Sequence, residues 1–431
     1  MPIPNQLSAS EVMKERERLY KLIIGQLRSD KFETVAYELT VALKNATGGF
    51  MIQSAPTNRL SQLVQYGLKY EELNEETETH SKKLEKATNL GPGLDLEYDT
   101  DDMNSSPTVI QYETAYVTSH KAPCRVACFT ADGKLCATGS VDASLKIMDV
   151  ERMITKSQQA QRQENENHPV IRTLYDHLDS ITALTFHPVT THLVSGSKDC
   201  TIKVFDFTKA SVKKAVKSLE EGASVRSLAF HSSGDYLLMA LDHPVIRLYD
   251  YVTLKCYVCS NSLSQHSGPV LALCWNTDCT MYASCSSDGS IKMWDGVSNR
   301  CVKTFDDAHN GAEVTSVQFS RNGKYVLSSG KDSVVKLWEV TSGNILNEYV
   351  GVTQHNHRTG AQFNHTEDLI IAPDEKGMAV GCWDARTAEP HPHLVSGHNN
   401  VIRGAVHSPT MPAFISCSDD FRARFWYYRG I

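Results

Sequence analysis

The sequence predicts a mainly β protein, a seven-bladed β-propeller preceded by a small all-α domain. The first observation is a period of 43 to 45 residues, broken by one interval of 57, at which a predicted strand ends in a hydrophobic or aromatic residue followed by an acidic or polar one. A period of about 40–45 residues closed in this way is typical of WD repeats, each of which forms one four-stranded blade. The seven closing pairs are Met148-Asp149, Phe205-Asp206, Tyr249-Asp250, Trp294-Asp295, Trp338-Glu339, Trp383-Asp384 and Trp426-Tyr427.

The second observation is a polar set that recurs in five of the seven repeats. A histidine lies 28 or 29 residues before the strand-end residue, an aspartate lies six before it, and a Ser or Thr lies four before that aspartate. Buried polar groups need hydrogen-bond partners, so we interpret each set as an internal network that links a loop to the next hairpin. The members are His120, Thr138 and Asp142; His177, Ser195 and Asp199; His266, Ser284, Asp288 and Trp294; His309, Ser328, Asp332 and Trp338; His398, Ser416, Asp420 and Trp426.

The same residue types form the catalytic triad of serine hydrolases, which is the alternative interpretation of this set. A catalytic triad occurs once and presents an exposed nucleophile, whereas this set recurs five times at one spacing. The sequence contains no Walker loop or nucleophile elbow. Cys256 and Cys259 form a lone pair in a predicted strand, where their side chains point to opposite faces. We therefore expect no enzymatic activity, no metal, no cofactor and no small-molecule substrate.

Repeats three and six depart from the pattern. In repeat three, His243 occupies the aspartate position, and Glu221 or Gly222 lies near the histidine position. In repeat six the aspartate is missing, and His355 or His357 reaches the histidine position only with a shifted register. We expect these two blades to be the less rigid ones.

The ends of the repeat region predict how the ring closes. Residues 112–118 lie upstream of the first histidine, so they should form the outer strand of the last blade and pair with strands from 402 to 427. The propeller then spans 112–431. The single long interval comes from a polar insertion at 151–169, between blades one and two, which we expect to be a mobile loop.

Residues 1–90 have a helical period instead. Apolar residues three and four positions apart form stripes that predict three short helices. The run LYKLIIGQLRSDKFETVAYEL resembles the LisH dimerisation motif, except that Lys31 stands where that motif has glycine. A domain this small commonly needs oligomerisation to bury enough apolar surface. Dimerisation is therefore expected, and the alternative is an amphipathic hairpin packed on its own propeller.

An acidic linker is predicted between the two domains, over 91–111. Five acidic residues between 95 and 102 have no basic residue among them, a composition that favours a solvated spacer. The whole chain of 431 residues has a net charge of −7, so no global basic field would recruit nucleic acid. No stretch has the length and apolar character of a membrane span or a signal peptide.

Beyond the repeat signature, the chain resembles the WD-repeat subunit of the cleavage stimulation factor. The resemblance covers nearly the whole chain and is looser in the N-terminal third. It is carried by VTSHKAPCRVACF, ENHPVIRTLYDH, WDGVSNRCVKTF, DDAHNGAEV, SSGKDSVVKLWE, FNHTEDL, CWDARTAE and SDDFRARFWY.

That family implies a non-catalytic nuclear homodimer that joins a HAT-repeat subunit and an RNA-recognition subunit in pre-mRNA 3′-end cleavage and polyadenylation. Contact with RNA would then be indirect, through these partners. The dimer face implied for this sequence comprises Leu19, Leu22, Ile23, Leu27, Phe32, Val35, Ala36 and Leu39. The alternative is a LisH and WD-repeat adaptor of another complex, either a ubiquitin-ligase substrate receptor or a regulator of a cytoskeletal motor.

Overall fold

The computed structural model describes residues 112–158, 168–208, 213–395 and 397–428, the segment 93–96 and several positions between 23 and 41. The chain divides into two compact units, residues 1–86 and residues 87–431. In the first unit, the described positions 23–24, 27–28, 34–39 and 41 are helical, as the apolar stripes predict. The remaining positions of the predicted helices lie outside the described residues.

The second unit is a ring of seven four-stranded antiparallel sheets, so the predicted propeller is confirmed. Blade 1 contains β2 (Cys124–Phe129), β3 (Leu135–Ser140), β4 (Ser144–Asp149) and β5 (Val170–Tyr175). Blade 2 contains β6 (Ile181–Phe186), β7 (His192–Ser197), β8 (Thr201–Asp206) and β9 (Lys217–Glu220). Blade 3 contains β10 (Val225–Phe230), β11 (Tyr236–Leu241), β12 (Arg247–Asp250) and β13 (Cys256–Tyr257). Blade 4 contains β14 (Val270–Trp275), β15 (Met281–Ser286), β16 (Ile291–Asp295) and β17 (Cys301–Phe305).

The remaining blades follow the same order. Blade 5 contains β18 (Val314–Phe319), β19 (Tyr325–Gly330), β20 (Val335–Glu339) and β21 (Ile345–Tyr349). Blade 6 contains β22 (Gln362–Phe363), β23 (Leu369–Asp374), β24 (Ala379–Asp384) and β25 (Pro390–Val395). Blade 7 contains β26 (Ile402–His407), β27 (Ala413–Ser418), β28 (Arg422–Tyr428) and the first strand of the ring, β1 (Tyr112–Ser119).

The ring closes as the sequence predicts. Strand β1 pairs antiparallel with β28, from Tyr112 opposite Tyr428 to Ser119 opposite Arg422. The last blade is therefore completed by the start of the propeller, which joins the two ends of the domain by a strand ladder.

The hydrophobic core lies between the blades. The described residues form seven apolar clusters, and each cluster draws its side chains from two adjacent blades. At the boundary of blades 4 and 5, for example, Met293 and Phe305 pack with Val326 and Trp338. Each blade is thus stabilised mainly by packing against its two neighbours.

The insertion lies within blade 1, between β4 and β5, and not between blades 1 and 2 as predicted, and it also differs from the expected mobile loop. Residues Val150–Gln158 form an α-helix, α1, whose first turn is capped by the Asp149 carboxylate, which accepts from the Arg152 backbone N–H at 3.0 Å. Val150 and Met153 are fully buried in the cluster between blades 1 and 7. The polar composition of the insertion concealed this apolar anchor, and residues 159–167 lie outside the described residues. No helix in the described part of the chain has both the length and the apolar character that a membrane span requires.

Candidate functional site

The five predicted polar sets assemble, and four of them share one geometry. In blades 2, 4, 5 and 7 the histidine Nδ1 lies 2.9, 3.1, 2.9 and 2.8 Å from the carboxylate of Asp199, Asp288, Asp332 and Asp420. On the other side of each ring, Nε2 lies 2.7 or 2.8 Å from the hydroxyl of Ser195, Ser284, Ser328 and Ser416. Because a carboxylate only accepts hydrogen bonds, Nδ1 carries the proton and Nε2 accepts from the serine hydroxyl.

Three of these networks extend to a tryptophan. The indole Nε1 groups of Trp294, Trp338 and Trp426 donate to the same serine hydroxyls, at 2.8, 2.8 and 2.9 Å. The hydrogen bonds therefore run in one direction, from indole to hydroxyl to imidazole to carboxylate. Blade 2 has Phe205 at this position, so its network ends at the serine.

Blade 1 is the weakest version of the network. His120 contacts Thr138 Oγ1 at 3.0 Å and Ser144 Oγ at 2.9 Å, whereas the nearest Asp142 oxygen is 3.8 Å from its Nδ1. Ser144 donates to that carboxylate at 2.5 Å, so it connects the two residues. Met148, at the tryptophan position, has no N–H to donate. The predicted set is present, but His120 reaches the aspartate through a hydroxyl.

The environment of the networks favours an ionised aspartate and a neutral histidine. Burial alone would raise the pKa of Asp199, but hydrogen bonds from Thr201, the Leu178 backbone N–H and His177 lower it to about 2. Burial lowers the pKa of His120 to about 4 and also lowers that of His177 and His398. The aspartates are therefore ionised and these histidines neutral near pH 7.

The burial of the serine hydroxyls determines whether the networks can act as catalytic sites. Ser195, Ser284, Ser328 and Ser416 are fully buried, and each hydroxyl is already held by a histidine. A nucleophile must face a substrate, so these hydroxyls are placed to join strands within a blade. Among the described residues, no cluster of three or more His, Cys, Asp or Glu side chains could hold a metal ion.

A lysine that the sequence analysis did not single out completes four of the networks. It lies two residues before the strand-end residue, and its Nζ donates to the backbone carbonyl just before the histidine. Lys203, Lys292 and Lys336 do so at 2.6, 3.1 and 3.1 Å, and Lys146 makes the same contact with Ser119. The constant offset of two residues was the signal that could have revealed it.

Blade 3 replaces the network with a different ion pair. Glu221 occupies the histidine position, pairs with Arg247 and accepts a hydrogen bond of 2.5 Å from the Tyr249 hydroxyl. Arg247 stands where four of the other blades have the lysine. The sequence identified Glu221 as a candidate for this position. In the structure, the Glu221–Arg247 ion pair takes the place of the histidine and the lysine and holds the same loop.

Blade 6 uses carboxylates to hold its loop, and neither proposed histidine fills the vacant role. His355 is exposed and contacts the Lys331 carbonyl at 3.0 Å. The Glu375 carboxylate accepts from the backbone N–H groups of Asn356 and His357, at 3.1 and 2.7 Å. The shifted-register interpretation is therefore wrong, because the loop is fixed through its backbone.

The predicted dimer face is partly visible in the helical unit. Phe32 is 56% and Val35 47% exposed, Ile23, Leu27 and Leu39 are half-buried, and Ala36 is only 1% exposed. Ala36 is thus covered within the single chain, whereas Phe32 and Val35 present apolar surface. Leu19 and Leu22 lie outside the described residues.

The start of the acidic linker differs from a solvated spacer. Leu94 is 4% exposed and joins the apolar cluster between blades 5 and 6. Its N–H donates to Glu367 Oε2 at 3.0 Å, and its carbonyl accepts from Asn322 Nδ2 at 2.6 Å. Lys324 pairs with Asp95 at 3.0 Å, and the Tyr325 hydroxyl accepts from the Leu96 N–H at 3.2 Å. Residues 93–96 are therefore a docked strap, which an acidic composition alone did not indicate.

The fold and its networks define the class of protein. A closed ring of WD repeats, each fastened by buried polar residues and preceded by a helical unit, is a WD-repeat propeller protein. Profile matches agree with this class. Residues 112–149, 169–206 and 391–427 match the WD domain, G-beta repeat, and residues 233–342 match the Vps8 beta-propeller. Residues 11–72 match the dimerisation domain of cleavage stimulation factor subunit 1.

Similar proteins identify the family. The chain is 37% identical over 416 residues to "Cleavage stimulation factor subunit 50" of Arabidopsis thaliana, a match that covers 95% of both chains. It is 27% identical over 278 residues to "Nuclear distribution protein nudF" of Aspergillus niger, covering 59% of this chain and 60% of that one. The protein belongs to the cleavage stimulation factor subunit 50 family.

Proposed function

We propose that this protein is a non-catalytic scaffold subunit of the cleavage stimulation factor, acting in the nucleus in pre-mRNA 3′-end cleavage and polyadenylation. The observation that carries the proposal is a family match over 95% of the chain, together with a dimerisation-domain match at residues 11–72. The buried serine networks support a non-catalytic role, since their hydroxyls hold strands together.

The proposed homodimer forms through the helical unit. Phe32 and Val35 expose apolar side chains that a second copy would cover. Ile23, Leu27 and Leu39 extend the same predicted face, and Ala36 supports it from within the chain. Leu19 and Leu22 complete the proposed set.

Dimerisation gives the scaffold its mechanism. Two rings joined through their helical units present every binding surface twice, so binding of a second partner copy becomes intramolecular and benefits from a raised effective concentration. The proposed partners are the HAT-repeat subunit and the RNA-recognition subunit of the same factor. A chain with net charge −7 is a poor general ligand for RNA, so RNA contact is assigned to those partners.

A second candidate is a role like that of the nuclear distribution proteins, the motor-regulator alternative raised by the sequence. It is favoured by similarity to nudF proteins, but these matches cover 59% of the chain for the Aspergillus niger protein and 67% for that of Aspergillus terreus. The match that includes nearly the whole chain favours the 3′-end processing role.

Affinity purification of the full-length chain from nuclear extract tests the proposal. We expect the HAT-repeat and RNA-recognition subunits to co-purify in stoichiometric amounts. Recovery of cullin components or of motor proteins in their place would instead support one of the adaptor alternatives and contradict the proposal.

A further inference from the structure

The first strands of most blades share an irregularity in strand pairing, and the side chain at this irregularity faces the ring axis. In six of the seven blades the pairing of the first two strands shifts register after its first residue pair. Such a bulge leaves one residue out of the ladder and re-aims its side chain. The residues at these positions are Arg125, Thr182, Arg226, Leu271, Thr315 and Arg403.

All six bulge residues line a single cavity of about 460 Å³. Blade 6 contributes the loop segment 356–360, so the cavity is bordered by all seven blades. A cavity bordered by every blade lies on the ring axis. We call it the axial mouth; it is at the end of the ring where the inner strands begin.

The axial mouth is basic although the protein as a whole is acidic. Among the residues that the structure describes, its lining contains five cationic residues and no carboxylate, whereas the chain has a net charge of −7. The cations are Arg125, Lys198, Arg226, Arg358 and Arg403. Carboxylates behind the lining pair with some of them: Asp419 lies 2.5 Å from Arg403 and 3.8 Å from Arg125, and Asp242 lies 2.6 Å from Arg226.

The five cations of the lining outnumber the two carboxylates that pair with them, so the mouth keeps a net positive charge. Lys198 and Arg358, the two lining cations outside these pairs, are exposed. The Nε atoms of Arg125 and Arg226 and the hydroxyl oxygen of Thr359 are buried without a hydrogen-bond partner. These atoms are covered by the chain itself and lie out of a ligand's reach, so the case for an anionic ligand is the positive charge of the lining.

The shape and lining select the class of anion. Proteins that bind single-stranded nucleic acid combine a basic track with aromatic platforms for the bases, and no Phe, Tyr or Trp lines the mouth. A small concave site lets several guanidinium groups reach one compact dianion, for which arginine has matching bidentate geometry. We propose that the axial mouth binds a phosphorylated serine or threonine in an extended segment of a partner protein.

The test measures binding of fluorescent peptides to the full-length chain. The probe is a degenerate peptide library with one fixed phosphoserine, compared with the same library carrying serine and with a single-stranded oligoribonucleotide of equal charge. The variant is Lys198→Glu with Arg358→Glu, because neither side chain forms an ion pair within the described part of the chain. The matched control is Lys255→Glu with Lys121→Glu, the same charge change at two exposed positions outside the lining.

We expect the phosphoserine library to bind and the serine library to bind weakly. The double variant at the mouth should lose roughly 10- to 100-fold in affinity, since charge-assisted hydrogen bonds are lost, while the control should stay within about twofold. Inorganic phosphate at millimolar concentration should compete. If the glutamate variant unfolds, Lys198→Gln with Arg358→Gln is used and should show the same loss in a smaller degree.

Three outcomes overturn the proposal. The first is equal binding of the phosphorylated and unphosphorylated libraries, or no binding of either. The second is loss of oligoribonucleotide binding in the mouth variant without any peptide binding, which would assign the site to nucleic acid. The third is an equal effect of the control substitutions. These measurements need no other subunit, so their failure is distinct from failure of the proposed scaffold function.

Discussion

The hydrogen bond from the Trp294 indole to Ser284 in blade 4 allows a direct measurement of how much a polar network contributes to the stability of the propeller. Replacing Ser284 with alanine removes the hydroxyl that holds His266 Nε2 at 2.7 Å and accepts from Trp294 Nε1 at 2.8 Å. Both partners are fully or almost fully buried, so neither regains a bond to water. Each unsatisfied group costs about 1–3 kcal/mol, so the substitution should destabilise the propeller by about 2–6 kcal/mol.

Blade 2 provides the matched control. Ser195 is equally buried and contacts His177 Nε2 at 2.7 Å, but Phe205 has no indole to hold. Both serine hydroxyls also make the same long contact of 3.5 Å to a lysine carbonyl. The substitution Ser195→Ala should therefore cost about 1–3 kcal/mol, less than Ser284→Ala by the contribution of one indole bond, about 1–3 kcal/mol.

Urea denaturation followed by tryptophan fluorescence measures the difference, because all five tryptophans lie in the propeller. Exchange of the Trp294 indole proton, followed by NMR, should become faster in Ser284→Ala and stay unchanged in Ser195→Ala. Equal destabilisation by the two substitutions, or an unchanged Trp294 exchange rate in Ser284→Ala, would refute the assignment of the network as a chain of buried hydrogen bonds.

Three further predictions concern acid, the strap and the dimer. The folded-state pKa of His120, about 4, is below its ordinary 6.5, so the neutral histidine contributes fully to the stability of the propeller above pH 6.5 and this contribution is lost as the pH falls toward 4. The loss is on the order of 3 kcal/mol. His120→Gln should therefore flatten the dependence of the urea midpoint on pH between pH 6.5 and 4. Leu94→Ser should release residues 93–96, detected as faster backbone hydrogen exchange, whereas Asp95→Ala removes a partly exposed ion pair and should have a smaller effect. Val35→Asp should convert the dimer to a monomer in light scattering, whereas Tyr37→Asp, outside the proposed face, should not.

Specific results would contradict each of these. A pH dependence that is the same in wild type and His120→Gln would show that folding does not lower the pKa of this histidine. Equal exchange at residues 93–96 in Leu94→Ser and wild type would show that the strap is not anchored by its leucine. A dimeric mass for Val35→Asp would remove this residue from the interface.

The repeat region could be predicted because its signals are local and repeated. Each network places its histidine, hydroxyl and aspartate at fixed offsets, so five copies in one chain identify a shared geometry without any tertiary information. Ring closure by β1 followed from the same register, since a strand upstream of the first histidine has only the last blade to join.

The missed features depend on contacts between distant segments. Helix α1 is anchored by Met153 in a cluster built from blades 1 and 7, and the strap is anchored by Leu94 between blades 5 and 6. Composition describes both segments as polar, because a few apolar side chains are enough to dock them. The axial mouth is similar, since its five cations are far apart in sequence and are brought together only by the ring.

Native mass spectrometry of the assembly purified from nuclear extract tests the scaffold claim most directly, because it counts the copies of every subunit. The proposed function predicts two copies of this chain together with the HAT-repeat and RNA-recognition subunits in equal number. An assembly that holds a single copy of this chain, or that lacks those subunits, would contradict it.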